Sequence, residues 1–314
     1  MAVAEVGFGA WALGGDWGEI DERDGIAAVE RAVAGGVNLF DTADVYGAGR
    51  SEEILGRVIG ARDDVLIATK VGRPELDDPA TYSWESVRRR CEASLQRLRR
   101  EVIDLYQLHT PPTDVLAGDE AWESLRRLRN EGKVRAFGAS VESAEQGLIA
   151  IERGAQTLQV IFNVFRQNHV DELFPVALER RVGILARVPL ASGLLTGKFT
   201  KSSTFSPDDH RSFNREGAAF NVGETFAGLP FDAGVDLANE LRWIADGRGS
   251  MARAAVRFVL DHDAVSSVIP GSKHTEQVEE NLGGAEVAPF SEEELARLRS
   301  FYQDRVRPLV RGPM

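Results

Sequence analysis

The residue types in this chain best suited to chemistry are Asp41, Tyr46, Lys70 and His109. Asp41 closes the run VNLFD, Lys70 closes VLIATK and His109 closes IDLYQLH, while Tyr46 lies in the turn ADVYGAG just past Asp41. A tyrosine hydroxyl, with a pKa near ~10, is a poor proton donor at neutral pH when it acts alone. A neighbouring ammonium favours the phenolate and lowers that pKa, and a buried carboxylate holds the ammonium charged and in place. A histidine within reach of the same oxygen orients a carbonyl or shares the proton. Together the four suit protonation of an alkoxide as hydride arrives at a carbonyl carbon. The set holds no evident nucleophile, and a metal bound by Asp41 and His109 would compete with the Lys70 cation. Lysine is itself informative here. Of 37 basic residues only five are lysine, namely Lys70, Lys133, Lys198, Lys201 and Lys273, and lysine is the cation whose proton affinity shifts readily on burial.

For these groups to meet, three successive strands must deliver their last residues to one rim. Apolar runs at 4–9, 37–41, 65–70, 103–109, 134–140, 158–163, 182–188 and 265–270 alternate with amphipathic stretches at 24–34, 52–59, 84–99, 120–131, 143–153, 170–180 and 251–261. Strand-then-helix alternation implies parallel pairing through right-handed crossovers. Eight such units in 314 residues predict an α/β fold of the (β/α)8 TIM-barrel type. Length alone, at ~150 residues per domain, suggests two domains; the barrel reading makes residues 1–314 one. A doubly wound open sheet would carry GxGxxG after an early strand, and GFGAWALGG lacks that spacing. A barrel performs chemistry at the C-terminal ends of its strands, where the quartet falls. Two features exceed a minimal barrel. A long loop after strand seven, at 190–234, reads as a lid anchored by Phe205, Phe213, Phe220, Phe226 and Phe231. An extra C-terminal helix, FSEEELARLRSFY at 290–302, opens on a Ser-x-x-Glu capping box and packs outside.

Composition narrows the class. Formal charge is −12, hydrophobic residues make up 43% and charged residues 27%, as in ordinary soluble domains. No apolar run reaches the ~18 residues that span a bilayer, and the first residues show no secretory pattern. A single cysteine, Cys91, excludes an internal disulfide and a Cys-rich metal site. An acidic excess without a basic cluster argues against a nucleic-acid partner. The expectation is a soluble, cytoplasmic protein acting on a small molecule, with no nucleic-acid or membrane partner. Charge says nothing of the oligomeric state.

The motifs DTADVYGAGRSEEILG (41–56), ATK at Lys70, QLH at His109, KVRAFGAS (133–140), PLASGLLTGKF (189–199) and IPGSKHTEQVEENL (269–282) run in order through nearly the whole chain. In that order they strongly resemble the aldo-keto reductase superfamily. The resemblance implies a (β/α)8 barrel that binds NADPH, with NADH possible, across its rim without a Rossmann fold. It implies Tyr46 as general acid, Lys70 and Asp41 tuning it, and His109 orienting the carbonyl, the same four that the rim argument selects. By the same resemblance Ser140 and Gln159 hold the nicotinamide carboxamide, and Arg187 takes the place of an aromatic ring stacked on the nicotinamide. Pro189, Leu190, Ser192 and Leu194 line the pyrophosphate region. Gly271, Ser272 and Lys273, then Gln277, Glu280 and Asn281, meet the adenosine end, with Lys273 the one cation for a 2′-phosphate.

Three departures carry expectations of their own. Many relatives read Ser-Asn where this chain reads Ser140-Val141, which removes one carboxamide partner. Arg187 sets a cation against a ring that is positive when oxidised, so the reduced cofactor is favoured. A small hairpin that plugs the barrel bottom often precedes the first strand in the family, and about ten residues of it are missing here, so either the start is truncated or the bottom is closed otherwise. The implied activity is NADPH-dependent reduction of an aldehyde or ketone, with Trp11, Trp17 and Trp84 as candidate pocket walls. Two other classes stay open: a cofactor-binding regulatory subunit of the same fold with little turnover, and a metal-dependent barrel hydrolase or isomerase built on Asp41 and His109.

Overall fold

A computed structural model describes residues 2–73 and 78–314. Strands β1 (Phe8–Gly9), β2 (Leu39–Asp41), β3 (Leu66–Val71), β4 (Ile103–His109), β5 (Val134–Ser140), β6 (Thr157–Ile161), β7 (Gly183–Arg187) and β8 (Val265–Val268) pair in parallel and in chain order. The sheet then closes on itself. Gly7 N donates to the Val268 carbonyl at 2.8 Å, Val268 N to that of Glu5 at 2.8 Å, and Gly9 N to that of Pro270 at 2.9 Å. Strand β1 is shorter than the run 4–9 because only Phe8 and Gly9 pair with β2. Closure also explains Gly9: a Cβ there would lie 2.8 Å from the Ile269 carbonyl oxygen.

Helices α1 (Glu22–Ala34), α2 (Arg50–Val58), α3 (Trp84–Leu98), α4 (Thr113–Ala117), α5 (Glu120–Asn130), α6 (Ala144–Glu152) and α7 (Leu173–Arg180) fill the connections up to β7. Short α8 (His210–Phe213) and α9 (Phe231–Glu240) lie between β7 and α10 (Met251–Leu260); α11 (Thr275–Glu286) and α12 (Glu292–Phe301) follow β8. Ser83, Ser143, Ser250 and Ser291 cap α3, α6, α10 and α12 by accepting from first-turn amides, which places each start where a polar residue precedes the apolar pattern. Ser291 and Glu294 close a reciprocal capping box.

The period of two along each strand sorts the core into two regions. Phe40, Ile67, Tyr106, Leu108, Phe137, Leu158, Val160 and Ile184 face the helices and join the large outer core. Leu39, Ala68, Leu105, Ala136, Leu185 and Ile269 form a separate small cluster inside the barrel, with Val3 and Leu66 packed against it. Two residues further along β2, β3, β4 and β7, the same inward face carries Asp41, Lys70, Gln107 and Arg187, all buried. The interior is therefore apolar below and polar at its C-terminal end, which is the floor of the site.

Candidate active site

That polar end is held by a buried frame. Thr42 Oγ1 donates to Ser51 Oγ at 2.8 Å, and Ser51 donates on to the Ala10 carbonyl at 2.8 Å, tying the turn after β2 to the chain after β1. Glu52, fully buried, accepts from Thr69 at 2.6 Å and from Arg97 at 2.6 Å, tying α2 to β3 and α3. The turn bearing Tyr46 presses directly on the loop after β1. Gly47 has φ +59°, and a Cβ there would lie 2.4 Å from the Gly14 carbonyl oxygen, so the approach requires glycine.

On this frame Lys70 Nζ lies 2.5 Å from Asp41 Oδ1, 2.8 Å from the Thr42 carbonyl oxygen and 3.3 Å from Tyr46 Oη. Gln159 Nε2 and Gln107 Nε2 donate to the other Asp41 oxygen at 2.7 and 3.3 Å. The buried carboxylate is thus saturated, as a buried charge must be. The His109 ring meets that of Tyr46 edge-on with centroids 5.7 Å apart. Burial works against the Lys70 ammonium, but Asp41 and the Tyr46 hydroxyl outweigh it and hold its pKa above the ordinary lysine value. Burial, with Arg73, Lys70 and Arg187 nearby, pushes His109 well below the ordinary imidazole range, so the ring is neutral. Lys70 lowers the Tyr46 pKa as expected, but the net shift is upward. Burial raises it and the Asp41 and Glu224 charges add to that, with Lys70 offsetting only part. Tyr46 is held as a neutral phenol, the form able to give a proton.

These groups floor a cavity of about 390 Å³ that runs from β1 and β2 across to β7 and β8. Asp41, Tyr46, His109, Ser140, Gln159, Arg187, Pro189, Leu190, Ser192, Gly271, Ser272, Lys273 and Gln277 line it. Register sets the first part of the wall: His109 pairs with Ser140 and Ser140 with Gln159 at one height on β4, β5 and β6. The second part rests on a strained turn. Val188, Ala191 and Ser192 have φ of +56°, +47° and +54°, values uncommon outside glycine and concentrated at functional sites.

Several expected contacts are placed differently from the sequence reading. Leu194 faces the core, where its side chain fills the space a Gly234 Cβ would take, 2.6 Å away; the left-handed residues before it turn the chain inward. Glu280 faces outward, accepting from Ser250 Oγ and lying 3.4 Å from Arg253. Asn281 stands behind the wall and donates to Ser272 Oγ at 3.0 Å. Ser192 Oγ is engaged by the 190–234 segment, donating to the Glu224 carbonyl at 3.2 Å and accepting from Phe226 N at 3.0 Å. Lys273 is half-buried and donates to the Trp17 carbonyl, with that of Gly18 at 3.4 Å; burial lowers its pKa. Arg187, expected to set its guanidinium against the nicotinamide, is buried and paired with Glu224.

The 190–234 segment carries more of the site than its composition suggests. Besides Ser192, its Lys198, Arg211 and Glu224 line the cavity. Phe205, Phe226 and Phe231 pack on one another with centroids 4.9 to 5.8 Å apart, so three of the five expected anchors form one cluster. Phe220 instead meets Trp11 at 5.8 Å, and Trp11 lies parallel to the Tyr46 ring at 5.8 Å. Trp11 and Trp17 line the cavity, whereas Trp84 lies under the Arg127 guanidinium, 3.8 Å from the ring, on the helical exterior. Sequence reasoning missed Glu224, His210, Arg73 and Lys198. Lys198 carried a signal, since lysine is scarce; for Glu224 nothing in the sequence gave one.

A nicotinamide cofactor fits this donor set. Arg187 Nε and Nη2 and His109 Nδ1 are buried and without a hydrogen-bond partner among the described residues, and Lys198 and Lys273 bring positive charge to the far wall, where Arg211 is paired with Asp209. Among the described residues no group of three His, Cys, Asp or Glu side chains gathers as a metal site requires. Nor is any described helix long and apolar enough to cross a membrane.

A family model described as "Aldo/keto reductase family" matches residues 5–303. The chain is similar to the aldo-keto reductase YhdN of Bacillus subtilis, 33% identical over 291 residues that cover 89% of this chain and 84% of that one. It is also similar to a probable voltage-gated potassium channel subunit beta of Arabidopsis thaliana, 28% identical over 92% of this chain and 90% of that one. Among solved structures it resembles the glycerol dehydrogenase AKR11B4 of Gluconobacter oxydans, with TM-score 0.78, 32% identity, and coverage of 97% of this chain and 93% of that one.

Proposed function

This chain belongs to the aldo/keto reductase family and is an oxidoreductase, and from that premise we propose that it reduces an aldehyde or ketone to the alcohol with NADPH, Tyr46 supplying the proton. The observation that carries the reading is the chain of contacts from Asp41 through the buried Lys70 ammonium to the Tyr46 hydroxyl, at 2.5 and 3.3 Å, on the floor of an open cavity. When bound, the cofactor supplies hydride from its nicotinamide.

The remaining work falls to side chains of this chain. Neutral His109 donates a hydrogen bond to the carbonyl oxygen and sets it beside Tyr46 Oη. Tyr46 transfers its proton to that oxygen as negative charge develops. Lys70, kept cationic by Asp41, stabilises the phenolate left behind, and this stabilisation is greatest in the transition state, where it accelerates the reaction. Ser140 and Gln159 hold the carboxamide; Gln159 also donates to Asp41, so cofactor position and relay are coupled. Pro189, Leu190, Ser192, Lys198 and Gly271 bound the pyrophosphate. Ser272, supported by Asn281, meets the adenosine end with Gln277 and with Lys273, which exchanges its backbone acceptors for the 2′-phosphate. Trp11 and Trp17 wall the substrate side, with Phe220 packed against Trp11.

Trp11 and Trp17 line the cavity, so intrinsic fluorescence reports its occupancy. Parallel titration with NADPH and NADH should give saturable quenching with NADPH the tighter. Equal affinity would remove the phosphate-reading role of Lys273, and no binding of either would overturn the reading.

A further inference from the structure

Arg187 ends β7 on the cavity wall, and its charge matters to any nicotinamide placed there. That charge is not free. Glu224, which follows Arg187 by 37 residues, brings its carboxylate onto Arg187 Nη1, and both side chains are more than nine-tenths buried. The second carboxylate oxygen lies 3.4 Å from Arg73 Nη2. Burial disfavours the Glu224 carboxylate, yet Arg187, Arg73, His210 and Lys70 together hold its pKa below the ordinary value, so it is ionised. Its backbone is fixed as well, since Ser192 Oγ bridges the Glu224 carbonyl and Phe226 N. A loop residue has been pinned so that its one buried negative charge sits directly on Arg187 at the cavity wall, with Arg73 more distant on its other oxygen.

We propose that Glu224 sets the preference of the site between oxidised and reduced nicotinamide by cancelling the charge of Arg187. This rests on the reading above that the nicotinamide lies against Arg187. The oxidised ring is a cation and the reduced ring is neutral, so a charge at this wall acts on the first and hardly on the second. Both side chains of the pair are buried, so that action is weakly screened. With Glu224 in place the pair is close to neutral and oxidised cofactor is tolerated. Without it Arg187 repels the oxidised ring. The residue acts through Arg187 and is a positioning and specificity residue, not a catalytic one.

The test is a cycle of four proteins, wild type, Glu224→Gln, Arg187→Gln and the double variant, each titrated with NADP⁺ and NADPH. The quantity read is the ratio of the two Kd values, oxidised over reduced. Glu224→Gln should raise that ratio about tenfold, Arg187→Gln should lower it, and the double variant should return to within about threefold of wild type. A lid latch with no charge role weakens both cofactors alike, so an unchanged ratio in Glu224→Gln overturns the proposal. Should Glu224→Gln not fold, Arg187→Gln and the double variant measure the same charge without leaving Arg187 uncompensated, and an equal ratio in those two overturns it as well. Wild type that binds neither cofactor is a different failure: the nicotinamide reading itself falls, and this inference with it.

Discussion

The two ends of the cavity are built differently. At the strand end, Asp41, Lys70, His109, Ser140 and Gln159 project inward from five neighbouring strands, and all are buried. At the far end, Ser192, Lys273 and Gln277 sit in turns or in the first turn of α11 and are engaged by their own surroundings: the Glu224 and Phe226 backbone, the Trp17 and Gly18 carbonyls, and the Lys273 amide. A strand fixes each side chain by counting in twos. A turn fixes it by dihedral angles, of which the left-handed values at Val188, Ala191 and Ser192 are the extreme case. On the proposed reading the strand end is thereby preorganised for reaction, while the far end exchanges internal contacts for those of a ligand.

The first way to break that contrast is Tyr46→Phe. If Tyr46 is the general acid proposed above, its loss should cost about 10²- to 10⁴-fold in kcat, while NADPH affinity should stay within about threefold; a parallel fall in affinity would show the two ends to be one unit. Lys70→Met comes next. It leaves the buried Asp41 carboxylate without its cation, an expected loss of about 3–5 kcal/mol, read as a lower denaturant midpoint at unchanged m-value. Leu194→Ala should cost about 2–5 kcal/mol as a core cavity and leave cofactor affinity unchanged, which separates packing from binding on the far side.

The legibility of the molecule follows the same division. Asp41, Lys70 and His109 could be read because each ends an apolar run in a barrel whose strand ends meet at one rim. Strand β4 matches its run at both ends, since its inward and outward faces are equally demanding. Glu224 could not be read: its partner Arg187 lies 37 residues away, and the path between them runs through turns whose dihedrals the sequence does not announce. Leu194 was misplaced for the same reason, because PLASGLLTGKF as a motif does not say which leucine turns inward. The Tyr46 pKa direction was missed because burial is a tertiary quantity, and it outweighs the one neighbouring charge that the motif reveals.

Acid titration probes the buried histidines, in the site and in the core, together. Burial holds His109 well below the ordinary range, His169 at about 3 and His210 at about 4. The unfolded chain protonates these rings below pH about 6.5 while the folded chain does not, so their contribution is present above that pH and lost as pH falls. Asp44, raised by burial to about 6, works in the opposite direction, since the folded chain takes up its proton first. Burial lowers His262 as well, and four histidines against one carboxyl predict a thermal midpoint that drops between pH 7 and pH 5; a midpoint that rises would mean the rings are not buried as described. The smallest effect belongs to Lys273→Met, which should weaken NADPH by about 1 kcal/mol and leave NADH unchanged.

The most direct test of the central claim is consumption of NADPH by the purified protein in the presence of a simple aldehyde, followed at the nicotinamide absorbance with the alcohol quantified. The preorganised relay of Asp41, Lys70 and Tyr46 predicts steady turnover with one alcohol formed per NADPH consumed. Saturable NADPH binding with no consumption across a panel of aldehydes and ketones would contradict it, and would point instead to a cofactor-binding subunit on the same barrel.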